Sequence, residues 1–319
     1  MTAPGVTGAE ATAPRSSALA DLGILIEEQG AVLKATMPAV ANLAVPGTTA
    51  MRICALCALA DTQLGLLAVR ELGPRVPVTL ALDVHLFQPV PVSPPPARAE
   101  GSAGAAGTAG PAGTAGPAGT AGPVSKVHAI GRVVKAGRAV LVTAIEFADD
   151  TGRPLGVGTA LFMAAPDPML LMPPGMRPLD LFATTSGELA QPYAQRLGCR
   201  RVGVGVASLP FTDDVVNASG TLNGGILPLA VEEAVLSAAP GSYLTSLSLQ
   251  YLRPVRRGPA VARAEVRGDV GTVEVRDAGT DALAVVATAR TSPAHTLPLT
   301  SADAAGGASS WAPEERPRG

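Results

Sequence analysis

A glycine pair just before a predicted helix is the feature of this sequence best suited to chemistry. The stretch Asn217 to Glu233 reads N-A-S-G-T-L-N-G-G-I-L-P-L-A-V-E-E, a turn followed by a helix. Asn223 has the side chain of a helix N-cap, and Gly224 and Gly225 let a ligand oxygen approach the backbone closely. Since the first N–H groups of a helix lack a partner within it, they can hold a developing oxyanion. Glu232 follows two turns later, so this is the layout of an oxyanion site near a carboxylate.

A second candidate is the lone acid of an apolar helix. Residues Met51 to Arg70 are apolar nearly all round, which predicts a buried helix, and Asp61 is the one acid in it. Asp61 either caps an edge of the helix or is there for chemistry, because a buried carboxylate is costly without a task or a partner. The residues alone leave both interpretations open.

Both segments resemble one family. The motif N-A-x-G-T-L-x-G-G, which begins at Asn217 and is followed by an acid eight residues after Gly224, is similar to the active-site helix of hotdog-fold acyl-CoA thioesterases. The similarity is strongest to the phenylacetate-pathway and 4-hydroxybenzoyl-CoA type. The segment L-A-D-T-x-x-G around Asp61 resembles the catalytic helix of the same family. That family usually has His before the glycine pair, where this sequence has Asn223.

The remaining elements repeat in two halves. Predicted helices span 17–29, 51–70, 191–197 and 224–238, and predicted strands span 31–37, 76–87, 127–135, 139–147, 155–163, 201–209, 244–252, 260–267, 270–276 and 283–291. An offset of 171 residues relates Asp61 to Glu232, and 165 relates the F-Q-P at Phe87 to the L-R-P at Leu252. With the resemblance, this predicts an α+β fold of two tandem hotdog domains that form an intramolecular pseudo-dimer.

Composition sets the predicted domain boundaries. We expect a disordered tail at 1–16, a first domain at 17–165, a linker at 166–187, a second domain at 188–292 and a disordered tail at 293–319. Repeated A-G-T-A-G-P units at about 94–123 predict a disordered insertion in the first domain.

The resemblance also implies one composite active site between the two halves. Asn217, Gly224 and Gly225 match the family in the second half, and Asp61 and Thr79 match it in the first. Asn217 would orient the substrate or the start of the helix, Thr79 would position a water or Asp61, and Asp61 would act as nucleophile or general base.

The reciprocal site lacks its parts. Arg52-Ile53-Cys54 stands where the glycines would be, and Leu244 stands where the hydroxyl would be. We therefore expect Glu232, the counterpart of Asp61, to be vestigial.

The resemblance implies coenzyme A as part of the substrate and no other cofactor. Candidate substrate-binding residues are Asn223, Arg253, Arg256, Arg257 and Arg138, although ordinary solvated arginines would look the same. The three histidines have no metal spacing, and Cys54-x-x-Cys57 has no second pair, so no metal site is expected.

Net charge and composition limit the partners and the location that we expect for this protein. A net charge of −2 and 3% aromatic residues speak against nucleic acid as a partner. We expect no membrane partner, because no apolar run reaches the length that spans a bilayer and no signal peptide is visible. Three cysteines fit the cytoplasm. The acyl group, the carrier and any homo-oligomer of pseudo-dimers stay open, as does a non-catalytic acyl-CoA-binding protein or a fold in which both carboxylates are incidental.

Overall fold

The computed structural model describes residues 18–92, 123–172, 189–217 and 219–294. The first half contains β1 (Leu25–Gln29), β2 (Val32–Pro38), α1 (Ile53–Leu72), β3 (Pro77–Leu86), β4 (Lys126–Ala136), β5 (Leu141–Ala148) and β6 (Pro154–Ala164). The second half contains α2 (Tyr193–Arg196), β7 (Arg200–Gly203), β8 (Val206–Leu209), α3 (Leu227–Ala238), β9 (Ser242–Tyr251), β10 (Ala260–Arg267), β11 (Val270–Asp277) and β12 (Ala282–Pro293).

All the strands belong to one antiparallel sheet that runs through both halves. Its order is β1-β2-β4-β5-β6-β3-β9-β12-β11-β10-β8-β7. The halves join where β3 pairs with β9, from Ala81 opposite Gln250 to His85 opposite Ser246. This pairing fixes the position of α1 relative to α3, and the two helices touch.

Each half wraps its sheet around one buried helix. Fourteen of the 20 residues of α1 are buried, and ten of the 12 residues of α3. A long helix enclosed by an antiparallel sheet, present twice, is the tandem hotdog α+β fold that the sequence predicts. On length and composition alone α1 could cross a membrane, contrary to our expectation from the sequence, but most of it is buried as the core of the first half.

Three local predictions are wrong. Residues 17–29 do not form one helix, because a single 3-10 turn at Ala20–Leu22 is followed by β1, which pairs with β2 through a tight turn at Gly30. Residues 201–209 are not one strand but the hairpin of β7 and β8, which turns at Gly205 with a positive φ of 70°. The third helix starts at Leu227 rather than Gly224.

Most of the predicted insertion, tails and linker lie outside the described residues. The ends of the predicted insertion are adjacent, since Val92 bridges Val124 and the Val124 N–H donates to the Pro91 carbonyl at 2.8 Å. The first part of the predicted linker follows β6, and the Met172 N–H donates to Pro74. At the other end, β12 reaches Pro293, one residue into the predicted tail.

Candidate active site

Asp61 and Thr79 meet on the concave side of the first half. Asp61 lies in the middle of α1 and is partly exposed, unlike the buried residues beside it. The Thr79 hydroxyl donates a hydrogen bond to Asp61 Oδ1 at 2.9 Å. The pair predicted from the resemblance is therefore in contact.

A β-bulge turns Thr79 toward the helix. The register of β3 against β6 shifts between Thr79 and Ala81, so Leu80 is an extra residue without a partner. Strict alternation would put Thr79 on the outer face with Asp83, and a slip of one residue reverses the side that a strand residue faces. The same bulge occurs in the second half at Thr245, where it turns Leu244 inward instead of a hydroxyl.

The glycine pair of the second half faces Asp61 of the first. A methyl group on Gly225 would lie 3.2 Å from Asp61 Oδ2 and 3.3 Å from the Ala58 Cα. A methyl group on Gly224 would lie 3.5 Å from the same carboxylate oxygen. Only a residue without a side chain allows the two halves to approach this closely at Gly225.

The two glycine N–H groups differ in their partners. The Asn223 side chain accepts the Gly225 N–H at 2.8 Å, but the prediction of Asn223 as the helix N-cap is wrong, because α3 starts at Leu227 and its N-cap is Ile226. Within the described ranges, no acceptor receives the Gly224 N–H. That donor sits partly exposed beside the Asp61 carboxylate and is available to a ligand oxygen.

Burial shifts the titration of Asp61 into the physiological range. Desolvation raises its pKa to about 6, and hydrogen bonds from the Thr79 hydroxyl and the Gly225 N–H act in the opposite direction. A carboxyl group with such a pKa is a carboxylate at neutral pH and a stronger base than an ordinary aspartate.

Asn217 organises the loop before the glycines. Its side-chain oxygen accepts the N–H of Ser219 at 2.9 Å and both the N–H and the hydroxyl of Thr221 at 3.2 Å. Of the two roles expected for Asn217, this geometry matches orientation of the start of the helix.

Three of the predicted arginines share one loop. Arg253, Arg256 and Arg257 are exposed in the segment between β9 and β10. The Leu222 N–H donates to the Val255 carbonyl at 3.0 Å, which fastens this loop to the segment just before the glycine pair.

The fourth predicted substrate-binding arginine, Arg138, belongs to the first half. It is exposed in the turn between β4 and β5. Across the sheet, Leu141 pairs with Phe162 and Phe162 pairs with Thr79, so this turn lies at the level of Thr79 and two strands away. At the usual strand spacing the backbone separation between Leu141 and Thr79 is about 10 Å.

The reciprocal position is closed by a buried ion cluster. Glu232 accepts the N–H groups of Ile53 and Cys54 at 3.1 and 3.4 Å, so its carboxylate fills the place of a substrate oxygen at the N-terminus of α1. The guanidinium of Arg52 lies 3.8 Å from Glu232 and 2.6 Å from Glu233. Burial raises the pKa of Glu232, while Arg52 and the N–H groups oppose this shift.

Sequence reasoning missed two residues of this region. Tyr251, at the end of β9, donates its hydroxyl to the Gly224 carbonyl at 2.8 Å. In the sequence Arg52 stood only among the residues that replace the glycines, whereas it is a buried counter-charge with 1% exposure. Comparison of the two halves could have identified Tyr251. The offset of 165 residues makes Leu86 its counterpart, and leucine has no hydroxyl to donate.

Comparison with known proteins agrees with the fold. No protein-family model and no curated protein sequence matches the chain. The 12:0-ACP thioesterase from Umbellularia californica has a TM-score of 0.53 at 13% identity, covering 84% of this chain and 99% of that one. An acyl-ACP thioesterase from Bacteroides thetaiotaomicron VPI-5482 has a TM-score of 0.51 at 10% identity, covering 83% and 100%. A tesB protein from Mycobacterium avium subs paratuberculosis has a TM-score of 0.50 at 15% identity, covering 86% and 98%. At these identities the likeness shows the fold.

Proposed function

We propose that this protein is a thioester hydrolase, an acyl-CoA thioesterase that releases a free acid and coenzyme A at one composite site. The observation that carries the proposal is the meeting of Asp61 from one half with the free Gly224 N–H of the other. A base close to an oxyanion donor is what acyl transfer to water requires. The structures of similar fold that are named thioesterases agree with this assignment.

The proposed reaction needs only water as a co-reactant. The thioester carbonyl oxygen accepts the Gly224 N–H, and Asp61 either removes a proton from water or attacks the carbonyl carbon itself. In the first route hydroxide adds to the carbon, the C–S bond breaks, and the thiolate recovers the proton that Asp61 holds. In the second route the attack breaks the C–S bond, expels the thiolate and leaves an acyl-aspartyl anhydride. Water hydrolyses this anhydride to the free acid and Asp61, and the proton released goes to the thiolate. Thr79 holds Asp61 in position for either route.

Loss of one oxyanion donor from such a site typically raises the barrier by about 3–4 kcal/mol. The Gly224 N–H therefore has to point at the carbonyl oxygen for the reaction to be fast. Neither route requires a metal or another cofactor.

Comparison of the two duplicated loops supports coenzyme A as the carrier. The loop beside the glycine pair reads L-R-P-V-R-R from Leu252, and its counterpart reads F-Q-P-V-P-V from Phe87. The backbone contact is the same in both, since the Met51 N–H donates to Val90 as Leu222 does to Val255. Scaffolding therefore does not require the arginines, and guanidinium groups suit the phosphates of coenzyme A.

The proposal also covers further substrate contacts, the functional type, the location and the assembly of the protein. We infer that Arg138 and Asn223 also contact the substrate, that the closest functional type is the phenylacetate-pathway or 4-hydroxybenzoyl-CoA type, and that the protein acts in the cytoplasm. All three cysteines are free and buried, which agrees with that location. Assembly of pseudo-dimers into a larger oligomer is a further part of the proposal.

Thiol release tests the proposal. Short, long and aromatic acyl-CoA substrates are offered to the wild type, Asp61→Asn and Asp83→Asn. Asp83 is the matched control, because it lies on the outer face of the neighbouring β3 and accepts the Thr159 hydroxyl. We expect turnover by the wild type and the control, with a loss on the order of 10²–10⁴-fold in Asp61→Asn. Tight binding of acyl-CoA without any turnover would support the non-catalytic binding protein instead.

A further inference from the structure

The carbonyl group of Gly224 has lost its usual partner. In a helix, the carbonyl of residue i accepts the N–H of residue i+4, and the residue four positions after Gly224 is Pro228, which has no N–H. The neighbouring N–H of Leu227 donates to the Asn223 carbonyl at 3.3 Å. Among the described residues the donor that reaches the Gly224 carbonyl is the Tyr251 hydroxyl, at 2.8 Å.

The first half has neither of these two residues. The offset of 171 residues places Cys57 opposite Pro228, and the offset of 165 places Leu86 opposite Tyr251. With the N–H of Cys57 available, α1 begins at Ile53, the counterpart of Gly224. The helix α3 begins three residues later in its half, at Leu227. Proline and tyrosine thus occur together in the half whose helix starts late.

Because α3 starts late, the glycine pair lies outside the regular helix. Two consecutive glycines have more backbone freedom than any other pair, so their N–H directions need an external restraint. The ring of Tyr251 lies against Gly224, with its Cε1 3.7 Å from the position of a methyl group there. A peptide bond is planar, so a hydroxyl that holds the Gly224 carbonyl also orients the Gly225 N–H on the opposite side.

The chemistry of Tyr251 suits a permanent donor. Burial raises its pKa well above the ordinary value of 10.0, and the nearby charges of Asp61 and Cys57 raise it further. The hydroxyl therefore stays protonated over the whole range in which Asp61 titrates.

We propose that Tyr251 is a positioning residue that, together with Pro228, sets the geometry of the Gly224–Gly225 oxyanion turn. Pro228 removes the helical donor, and Tyr251 replaces it with a side-chain donor that holds the glycine peptide in the orientation facing Asp61. This inference rests on the proposed function for its catalytic consequence, whereas the restraint on the glycine peptide is independent of any reaction.

The kinetic test compares Tyr251→Phe with Tyr243→Phe. Tyr243 is a control on the same strand, 6% exposed where Tyr251 is half-buried, with no hydrogen-bond partner for its hydroxyl among the described residues. We expect kcat to fall about tenfold in Tyr251→Phe, with KM nearly unchanged, because the hydrogen bond that restrains the Gly224–Gly225 peptide, next to the Gly224 N–H, is lost. We expect Tyr243→Phe to match the wild type.

A second substitution gives a rescue that a general loss of packing would not. Pro228→Ala restores an N–H four residues after Gly224, so Tyr251→Phe with Pro228→Ala is expected to recover part of the lost kcat. Effects of the two substitutions that simply multiply would overturn the coupling between Pro228 and Tyr251.

A measurement without substrate separates this inference from the proposed function. We expect amide hydrogen exchange at Gly225 to speed up about tenfold in Tyr251→Phe and to stay unchanged in Tyr243→Phe. Absence of turnover in the wild type together with this exchange pattern would reject the thioesterase and keep the positioning role. Unchanged Gly225 exchange in Tyr251→Phe would reject the positioning role, whatever the wild type hydrolyses.

Discussion

The two glycines before α3 have different surroundings, which separates the effects expected from substituting them. A methyl group on Gly224 meets its neighbours at 3.5 Å or more, an ordinary contact, while one on Gly225 meets Asp61 and Ala58 at 3.2–3.3 Å. Neither glycine has a positive φ, so alanine is compatible with the backbone at both positions. The glycine at 224 therefore leaves space for a ligand, whereas the glycine at 225 is required by the close packing of the two halves.

We expect Gly224→Ala to lower kcat/KM by about 100-fold with little change in stability, because the methyl group occupies space needed by the carbonyl oxygen beside the free N–H. Gly225→Ala is expected to lower the free energy of unfolding by about 1–3 kcal/mol through overpacking. Urea unfolding and steady-state kinetics on both variants check this. A Gly224→Ala variant with full activity would contradict binding of the carbonyl oxygen in the space that the methyl group fills.

The pKa of Asp61 leads to a prediction for the pH profile. The proposed reaction uses the carboxylate, so kcat/KM should rise with pH and level off above about pH 6, where Asp61 has lost its proton. The Thr79 hydroxyl lowers this pKa, so Thr79→Val should move the rise to higher pH. Thr159→Val is the control, because its hydroxyl contacts Asp83 on the outer face. A profile that is flat between pH 4 and 8 would exclude a titrating Asp61 from catalysis.

At the scale of elements, the start of α1 depends on a buried charge cluster. Arg52 is 1% exposed and Glu232 is 0% exposed, and Arg201 extends the cluster to the surface by contacting Glu233 at 2.6 Å. Removing one partner of such a group leaves the others buried and uncompensated. The intact cluster is therefore required for the stability of the fold, and it also fills the reciprocal site.

We expect Arg52→Met to lower the free energy of unfolding by about 3–5 kcal/mol, because the carboxylates of Glu232 and Glu233 then lose their counter-charge. Arg70→Met, at the other end of α1 in an exposed pair with Glu71, should cost about 0–1 kcal/mol. Denaturant unfolding of both variants checks the difference. Equal losses would mean that the Arg52 cluster contributes no more than a surface pair.

The sequence predicted these elements unevenly, for physical reasons. Strong periodicity and the duplication predicted the long helix, nine of the strands to within a few residues and the tandem arrangement. The prediction failed at 17–29, where Leu19, Leu22 and Ile26 satisfy a helical period, but pairing of β1 with β2 decides the outcome. Local preference is a weak guide where tertiary contacts compete with it.

The candidate site was predictable where residue types alone carry the signal. Asp61, Thr79, Gly224 and Gly225 come together as the resemblance implies. The bulge at Leu80, the N–H that Asn223 takes and the ion cluster at Arg52 depend on three-dimensional register, and the sequence alone does not reveal them. The catalytic roles themselves stay predictions.

At the scale of the whole molecule, the two halves have similar folds but differ at the two positions where a helix N-terminus meets a carboxylate of the other half. One helix N-terminus has a free N–H next to the shorter carboxylate of Asp61, and the other has its N–H groups taken by the longer Glu232. The arginine loop, the inward-facing hydroxyl at Thr79 and the Tyr251 donor all belong to the first of these two sites. Four features thus distinguish the proposed active site from the reciprocal position.

One competent site predicts the stoichiometry of binding. A non-hydrolysable thioether analogue of acyl-CoA should titrate by calorimetry to one molecule per chain, because the Glu232 carboxylate already occupies the reciprocal oxygen position and the loop there has no arginine. Replacing Arg253, Arg256 and Arg257 by Ala should weaken that binding and reduce its dependence on salt, since it removes the three charges that we propose contact the phosphates. Glu232→Gln should leave the value at one, because the glutamine still fills the position. Two molecules per chain in the wild type would show that the second half also binds substrate and would contradict the one-site proposal.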